Sequence, residues 1–283
     1  MDDIKRKQIE LAIDKDIDLY CRELFAEDAR THLGASIIGN DCQAYAWNTF
    51  RWLKQEEFDG RMLRLFNRGH TEEVRFVKWL VGIGFEVREI DPVTEKQFRI
   101  TGAKGHFGGS LDAMMKAPAR YGLDSNLIWL GEFKTHNAKS FAKLITNGVI
   151  ISKPQHYKQM CSYGRAYGLD YGLYCAVNKD NDELYIRIVK LDWLLADDLF
   201  RKAESIIFAK NQPPKIAQTE TFFDCKYCDY KGICHRGEPP AKNCRSCRFA
   251  VPVDNAEWYC QVNKLNIPKH FIPKGCDAYQ SII

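Results

Sequence analysis

The chain lacks any long apolar run. Nowhere do its 283 residues approach the roughly 18 uninterrupted apolar positions of a membrane-spanning helix. Its first residues, MDDIKRKQIELAIDKDIDLYCREL, form a charged amphipathic helix pattern without the apolar centre of a signal peptide. Neither a membrane protein nor a secreted one is expected, and a cytoplasmic setting follows. Charge of one sign is also scarce. The formal net charge is +4 and the pI about 8.4, compatible with a polyanionic partner but no evidence for one. Internal repeats and low-complexity tracts are absent, so no repeat architecture is expected. What the chain does have is a 45% hydrophobic, 12% aromatic composition, enough for one sizeable core plus an appendage. It also has eleven cysteines, which without a secretion signal point to metal rather than disulfides.

Periodicity places helices over 4–30 and 40–55, then a helix running into a strand over 68–87. There Val74, Val77, Leu80 and Val81 fall at helical spacing, and Gly82 and Gly84 stop the helix. Strands are expected at 97–101 and 106–115, joined by Gly102–Gly105, and at 126–134. Helices are expected at 137–148 and at 153–167, the latter with Pro154 in its first turn. A hairpin turning at Asn178–Asp182 follows, and then a helix over 191–210 that ends before Pro213-Pro214. This order predicts an α/β core with a mixed central sheet flanked by helices, followed by a Cys-rich tail.

The chemistry concentrates where the apolar run Asn126–Leu130 ends in Gly131-Glu132-Phe133-Lys134. A buried charge is unfavourable by several kcal/mol unless it is paired or binds metal. Residues two apart on a strand share a face, so Glu132 and Lys134 point together while Phe133 points into the core. Asp112 lies on the preceding strand and can meet Glu132 if the two strands pair. Two carboxylates held close need a cation, and hard oxygen ligands select Mg²⁺ or Mn²⁺. A lysine beside them can hold or deprotonate a water at a phosphate. Taken alone, the same pattern also describes a surface salt bridge. Upstream, Arg68-Gly69-His70-Thr71-Glu72-Glu73 is expected to open a helix, with acids that would complement its dipole. Downstream, Gln159 and Tyr163 lie four apart on one helical face.

Gly69-x-x-x-Glu73, Gly109-x-x-Asp112, Glu132-Phe-Lys134 and Gln159-x-x-x-Tyr163 occur in the order of the motifs of RecB-like nucleases of the PD-(D/E)xK superfamily. The resemblance spans about residues 36–190. It implies a restriction-endonuclease-like core in a metal-dependent deoxyribonuclease of bacterial or phage type. An exonuclease of recombination, repair or phage DNA processing is expected, with DNA as substrate and recombination or replication proteins as candidate partners. Asp112, Glu132 and the Phe133 backbone carbonyl would bind Mg²⁺ or Mn²⁺, with Glu73 as the further ligand and His70 or Glu72 as its alternatives. Lys134 would be the catalytic lysine, and Gln159 and Tyr163 would position DNA or support the site. Lys139, Lys143, Lys153 and Lys158 flank this strand and are candidates for phosphate contact.

Cys225, Cys228 and Cys234 form C-x2-C-x5-C, three parts of a four-thiolate site whose spacing suits zinc or a [4Fe–4S] cluster equally. The resemblance extends to CRISPR-associated RecB-like and AddB-type nucleases, whose fourth cysteine precedes the first nuclease motif. Cys42 stands there, 27 residues before Gly69. The resemblance thus implies a [4Fe–4S] cluster on Cys42, Cys225, Cys228 and Cys234. Cys244, Cys247, Cys260 and Cys276, spaced C-x2-C-x12-C-x15-C, suit a small zinc site in a segment too short to build its own core. That basic segment would be a phosphate-binding element or a solvated structural knob. Cys161 and Cys175 look like packing residues. The expected organisation is an N-terminal helix (1–35), a nuclease core (36–221), an iron–sulfur segment (222–240) and a zinc-binding tail (241–283). Two competing readings are a non-catalytic iron–sulfur and zinc module that binds nucleic acid, and an electron carrier.

Overall fold

The chain's computed structural model describes residues 1–26, 29–55, 57–124 and 126–283. Side-chain caps set where the helices begin. Asp2 accepts from Lys5 N–H and starts α1, Asp3–Leu24; residues 27 and 28 of the helix expected over 4–30 lie outside the described residues. The helix expected at 40–55 is shorter. Cys42 caps α2, Gln43–Phe50, its Sγ accepting from Tyr45 N–H at 3.4 Å. Asp59 caps α3, Gly60–Gly82, by accepting from Met62 N–H at 2.7 Å. This corrects the expected start near residue 68. Arg68–Glu73 occupies the middle of the helix, so its acids cannot serve the helix dipole. Gly69 there is a tolerated interruption of about 1 kcal/mol rather than a boundary.

Downstream, α4 is Ala138–Ser152, α5 is Pro154–Tyr167 and α6 is Trp193–Ile207, close to the expected spans. Gly148 interrupts α4 with φ +71°, a backbone region glycine enters without penalty.

Five strands build the main sheet: β1 Glu86–Arg88, β2 Ala113–Lys116, β3 Ile128–His136, β4 Tyr171–Asn178 and β5 Leu184–Lys190. Their spatial order is their chain order, with β3 and β4 parallel and every other pair antiparallel. The α/β architecture with a mixed sheet flanked by helices is therefore the one the composition and order of elements called for.

The single strand expected at 106–115 is in fact two. Phe107–Ser110 pairs with Leu33–Gly34 and Arg99–Gly102 in a separate three-stranded sheet, whereas Ala113–Lys116 joins the main one. The chain changes sheets at Leu111-Asp112, which leaves Asp112 at the mouth of the β2–β3 pair instead of inside a ladder.

Apolar residues fill both faces of the sheet. Phe133, Leu173, Cys175 and Val177 meet Phe76 and Leu80 of α3 on one face, where Phe133 stacks on Phe76 at 5.4 Å. Leu130, Tyr174 and Ala176 meet helices α4 to α6 on the other. The C-terminal tail shares this second core through Cys247, Ala250, Trp258 and Ile272. It is held there by Arg245, wholly buried, whose guanidinium lies over the rings of Phe50, Trp52 and Trp258 and donates to the Arg30 and Thr31 carbonyls. That integration departs from the solvated knob held open for the tail. Among the described residues no helix is long and apolar enough to cross a membrane.

Candidate active site and thiol clusters

Ala113 opposite Gly131 is the last pair of the β2–β3 ladder, so Asp112 and Glu132 stand next to each other just beyond its end. Phe133 N–H donates to Asp112 Oδ2 at 2.8 Å, which fixes that carboxylate against β3. Lys134 rises from the same face as Glu132. Its ammonium lies 2.7 Å from Glu132 Oε1, 3.3 Å from Asp112 Oδ2 and 3.0 Å from the Phe133 carbonyl oxygen. One cation therefore touches all three oxygen groups that the resemblance assigns to a metal.

Glu132 is completely buried, and neither of its oxygens has a well-aligned hydrogen-bond donor. The close Lys134 contact is a charge contact with poor hydrogen-bond angles. Burial pushes the Glu132 carboxyl up to about 7, with Asp112 adding to the rise and Lys134 opposing it. Burial alone would lower Lys134, but Asp112 and Glu132 outweigh it and hold the ammonium above the ordinary lysine value.

Glu73 reaches this group from α3. Its carboxyl is raised by burial and by Asp112, while Lys134 and His70 pull it down. Glu72 is engaged elsewhere, accepting both its contacts from Arg75 Nη1 at 2.8 Å. Gln159 Nε2 donates to Tyr163 Oη at 3.0 Å, and the buried Tyr163 hydroxyl is raised by burial and by the nearby Glu132. Gly109 explains itself sterically. A Cβ there would meet Tyr163 Oη at 2.6 Å and the Ala35 Cβ at 3.0 Å, so only glycine lets the tyrosine hydroxyl lie against that strand.

Several neighbours were not anticipated. Glu89, just past β1, adds to the field on Glu73. His136 continues the Glu132–Lys134 face, and the period of two could have found it. Its Nε2 lies 3.0 Å from Tyr174 Oη, which is 2.9 Å from His156 Nδ1. Lys153 Nζ contacts Ser140 Oγ, which contacts His136 Nδ1 at 3.3 Å. Lys153, an ammonium, donates to Ser140 Oγ, and the contacts beyond it link Ser140, His136, Tyr174 and His156 in one row whose donors and acceptors are set by the histidine tautomers. Burial, with Lys153 and Lys134 nearby, pushes His136 down to about 4; burial and Lys134 push His156 down to about 3. Lys158 is tied to Asp41 at 2.9 Å and to the Gly39 carbonyl oxygen.

The cysteines gather in two groups. Cys42, Cys225, Cys228 and Cys234 line one small cavity of about 20 Å³. Burial raises the thiols of Cys225, Cys228 and Cys234, and Cys42 adds to each rise. Their sulfurs are placed as acceptors: Tyr45 N–H donates to Cys42, and Asn48 Nδ2 and Gln212 Nε2 donate to Cys234. In the tail, burial raises Cys244, and Cys276, Cys247 and Cys260 add to that rise. Cys161 and Cys175 are fully buried in apolar surroundings. Among the described residues, no three His, Cys, Asp or Glu side chains form a ready-made metal group as they stand. The residue types nevertheless suit a cation at each place, with hard oxygens and excess negative charge at Asp112, Glu132 and Glu73, four thiols lining one cavity at Cys42, Cys225, Cys228 and Cys234, and a second set of thiols in the tail.

No family model matches the chain, and no curated protein matches it. Solved structures do. LHK-Exo in complex with dAMP is 17% identical with a TM-score of 0.44, over 62% of this chain and 86% of that one. The protein SSO0001 is 18% identical with a TM-score of 0.44, over 79% and 96%. The alkaline exonuclease LHK-Exo from Laribacter hongkongensis is 19% identical with a TM-score of 0.43, over 65% and 90%.

Proposed function

We propose that the chain is a Mg²⁺- or Mn²⁺-dependent deoxyribonuclease that hydrolyses phosphodiester bonds, acting as an exonuclease in DNA recombination, repair or phage DNA processing. The observation that carries this reading is the convergence of Asp112 Oδ2, Glu132 Oε1 and the Phe133 carbonyl oxygen on a single cation position. Three oxygen donors beside a further carboxylate, Glu73, form a cradle whose negative charge one ammonium does not cancel. A divalent ion held there would supply charge stabilisation to a phosphate under attack. Asp112, Glu132, the Phe133 carbonyl and Glu73 would hold it, with His70 next to Glu73. In the arrangement seen, Lys134 is kept protonated by the two carboxylates, so it acts as a donor that orients the phosphate or the attacking water. Tyr163, positioned by Gln159, borders the same space.

The four sulfurs of Cys42, Cys225, Cys228 and Cys234 would hold a [4Fe–4S] cluster, supported by N–H donors aimed at two of them. Such a cluster would tie the residues before α2 to the C-terminal segment across a very long loop, where a cross-link stabilises most in theory. Cys244, Cys247, Cys260 and Cys276 would hold zinc.

The test uses anaerobically purified protein, end-labelled linear and circular duplex DNA, Mg²⁺ or Mn²⁺, and absorption near 400 nm. The proposal expects shortening of the linear DNA alone, abolished in Lys134→Ala with iron content unchanged. Cleavage undiminished in that variant would end the reading. DNA binding without cleavage in Mn²⁺ would favour the non-catalytic module.

A further inference from the structure

The strand β5 closes one side of the main sheet and, among the described residues, pairs with β4 alone. Opposite it on β4, Leu173, Cys175 and Val177 are buried, covered by α3. Their partners on β5, Ile188, Ile186 and Leu184, point to the same side but remain 56%, 39% and 52% exposed. The core that shelters β4 therefore stops one strand short. Leu184, Ile186 and Ile188 thus form an exposed aliphatic row along the edge, with Lys190 the charge at its end on the same side, and such a row is the kind of edge that isolated proteins avoid. The opposite side of β5 carries Tyr185, Arg187 and Val189. Arg187 folds back over the Tyr185 ring at 4.6 Å, and its Nη1 donates to the Ile186 carbonyl at 2.8 Å. That carbonyl takes a side-chain donor where an inner strand would take a neighbouring amide.

We propose that β5 is a dimerisation strand, pairing antiparallel with β5 of a second copy about a two-fold axis at Ile186. The occupant follows from the sequence of the strand itself. In an antiparallel pair, directly opposite residues share a face, so this register sets Ile186 against Ile186, and Leu184 against Ile188 in both directions. It also sets Tyr185 against Arg187 in both directions, so that the guanidinium exchanges its own tyrosine ring for the one opposite, and its hydrogen bond to Ile186 for a backbone amide. Moving the axis by one residue, to Arg187, would instead place two guanidiniums face to face, a repulsive pair. The register centred on Ile186 is thus self-complementary on both faces, which is what an isologous interface requires. The two main sheets become one continuous sheet, and Leu184, Ile186 and Ile188 from both copies form one apolar ladder. This inference is independent of the nuclease reading, since neither its residues nor its test involves DNA or metal.

Light scattering on the intact protein over a range of concentrations tests it, together with amide hydrogen exchange of the 184–190 segment. The expected results are a mass twice the 32.7 kDa chain and protection of 184–190 that rises with protein concentration. Ile186→Lys puts like charges on the axis and should give a monomer with the wild-type circular dichroism spectrum and at least a tenfold weaker association. In that variant 184–190 should exchange at one rate at all concentrations. A wild-type monomer throughout the range overturns the proposal. So does a dimer that survives Ile186→Lys, or one that forms without added protection of 184–190. If Ile186→Lys misfolds, the concentration dependence of exchange in the wild type decides alone.

Discussion

Replacing Lys134 by methionine removes the positive charge in contact with Asp112, Glu132 and the Phe133 carbonyl while keeping most of the side chain's volume. In divalent-free buffer the variant leaves a wholly buried carboxylate beside two others. Breaking a buried charge pair in this way destabilises by about 3–5 kcal/mol. Glu132 can escape part of that cost by binding a proton, and this makes the effect depend on pH. In the wild type its carboxyl stands at about 7 against an ordinary value of 4.5. Between those values the folded state binds a proton that the unfolded state does not, so stability falls as pH rises. Above about 7 both states are ionised and this contribution is flat. Without Lys134 the native value rises further, so the fall continues past 7 at up to about 1.4 kcal/mol per pH unit. Urea unfolding of both proteins in EDTA at pH 6, 7, 8 and 9 should therefore show a small difference at pH 6 that widens steadily with pH. Adding Mn²⁺ at pH 8 should stabilise the variant at least as much as the wild type, because no ammonium competes for the oxygens. A difference constant from pH 6 to 9, or a variant that Mn²⁺ leaves unchanged, would refute the electrostatic argument.

Gly109→Ala should destabilise by about 1–3 kcal/mol in urea unfolding, because its new methyl meets Tyr163 Oη and Ala35. Gly69→Ala, with nothing within 4 Å and a mid-helix position, should stabilise by about 1 kcal/mol in the same assay. Desolvation and neighbouring cations push the buried His136 and the half-buried His32 and His156 down, to about 4, about 4 and about 3. Below pH 6.5 the unfolded chain takes up protons that the native histidines refuse. Stability should thus be lost as pH falls from about 6.5 towards 4, at up to about 1.4 kcal/mol per pH unit for each histidine, as read by thermal melts in that window. Cys42→Ser should abolish the absorption near 400 nm of anaerobically purified protein and lower its melting temperature, whereas Cys161→Ser should leave the absorption intact.

The parts of the fold set by local pattern were readable in the chain. The strand expected at 126–134 runs over Ile128–His136 with Glu132 and Lys134 on one face and Phe133 in the core, and the hairpin turn after Asn178 is where its polar residues put it. The start of α3 was misplaced by eight residues, although Asp59 ahead of the apolar Met62, Leu63, Leu65 and Phe66 is itself a start signal in the sequence. The break at Leu111-Asp112, by contrast, was invisible. Each half of that run has strand character, and only the pairing partners differ. Tyr174 and His156 meet the site through the parallel β3–β4 register and the packing of α5, which no local pattern encodes. Arg245 could not have been placed either, because arginine is ordinarily solvated, and its burial depends on three aromatic rings that come together only in the folded chain.

The most direct measurement of the central claim is the rate at which end-labelled linear duplex DNA is degraded by the wild type and by Asp112→Asn across a Mn²⁺ titration. The account predicts no degradation in EDTA, a rate for the wild type that saturates with Mn²⁺, and loss of that rate in Asp112→Asn with the fold preserved by circular dichroism. Degradation of equal rate in EDTA, or an Asp112→Asn protein that cuts as fast as the wild type at the same Mn²⁺ concentration, would contradict it.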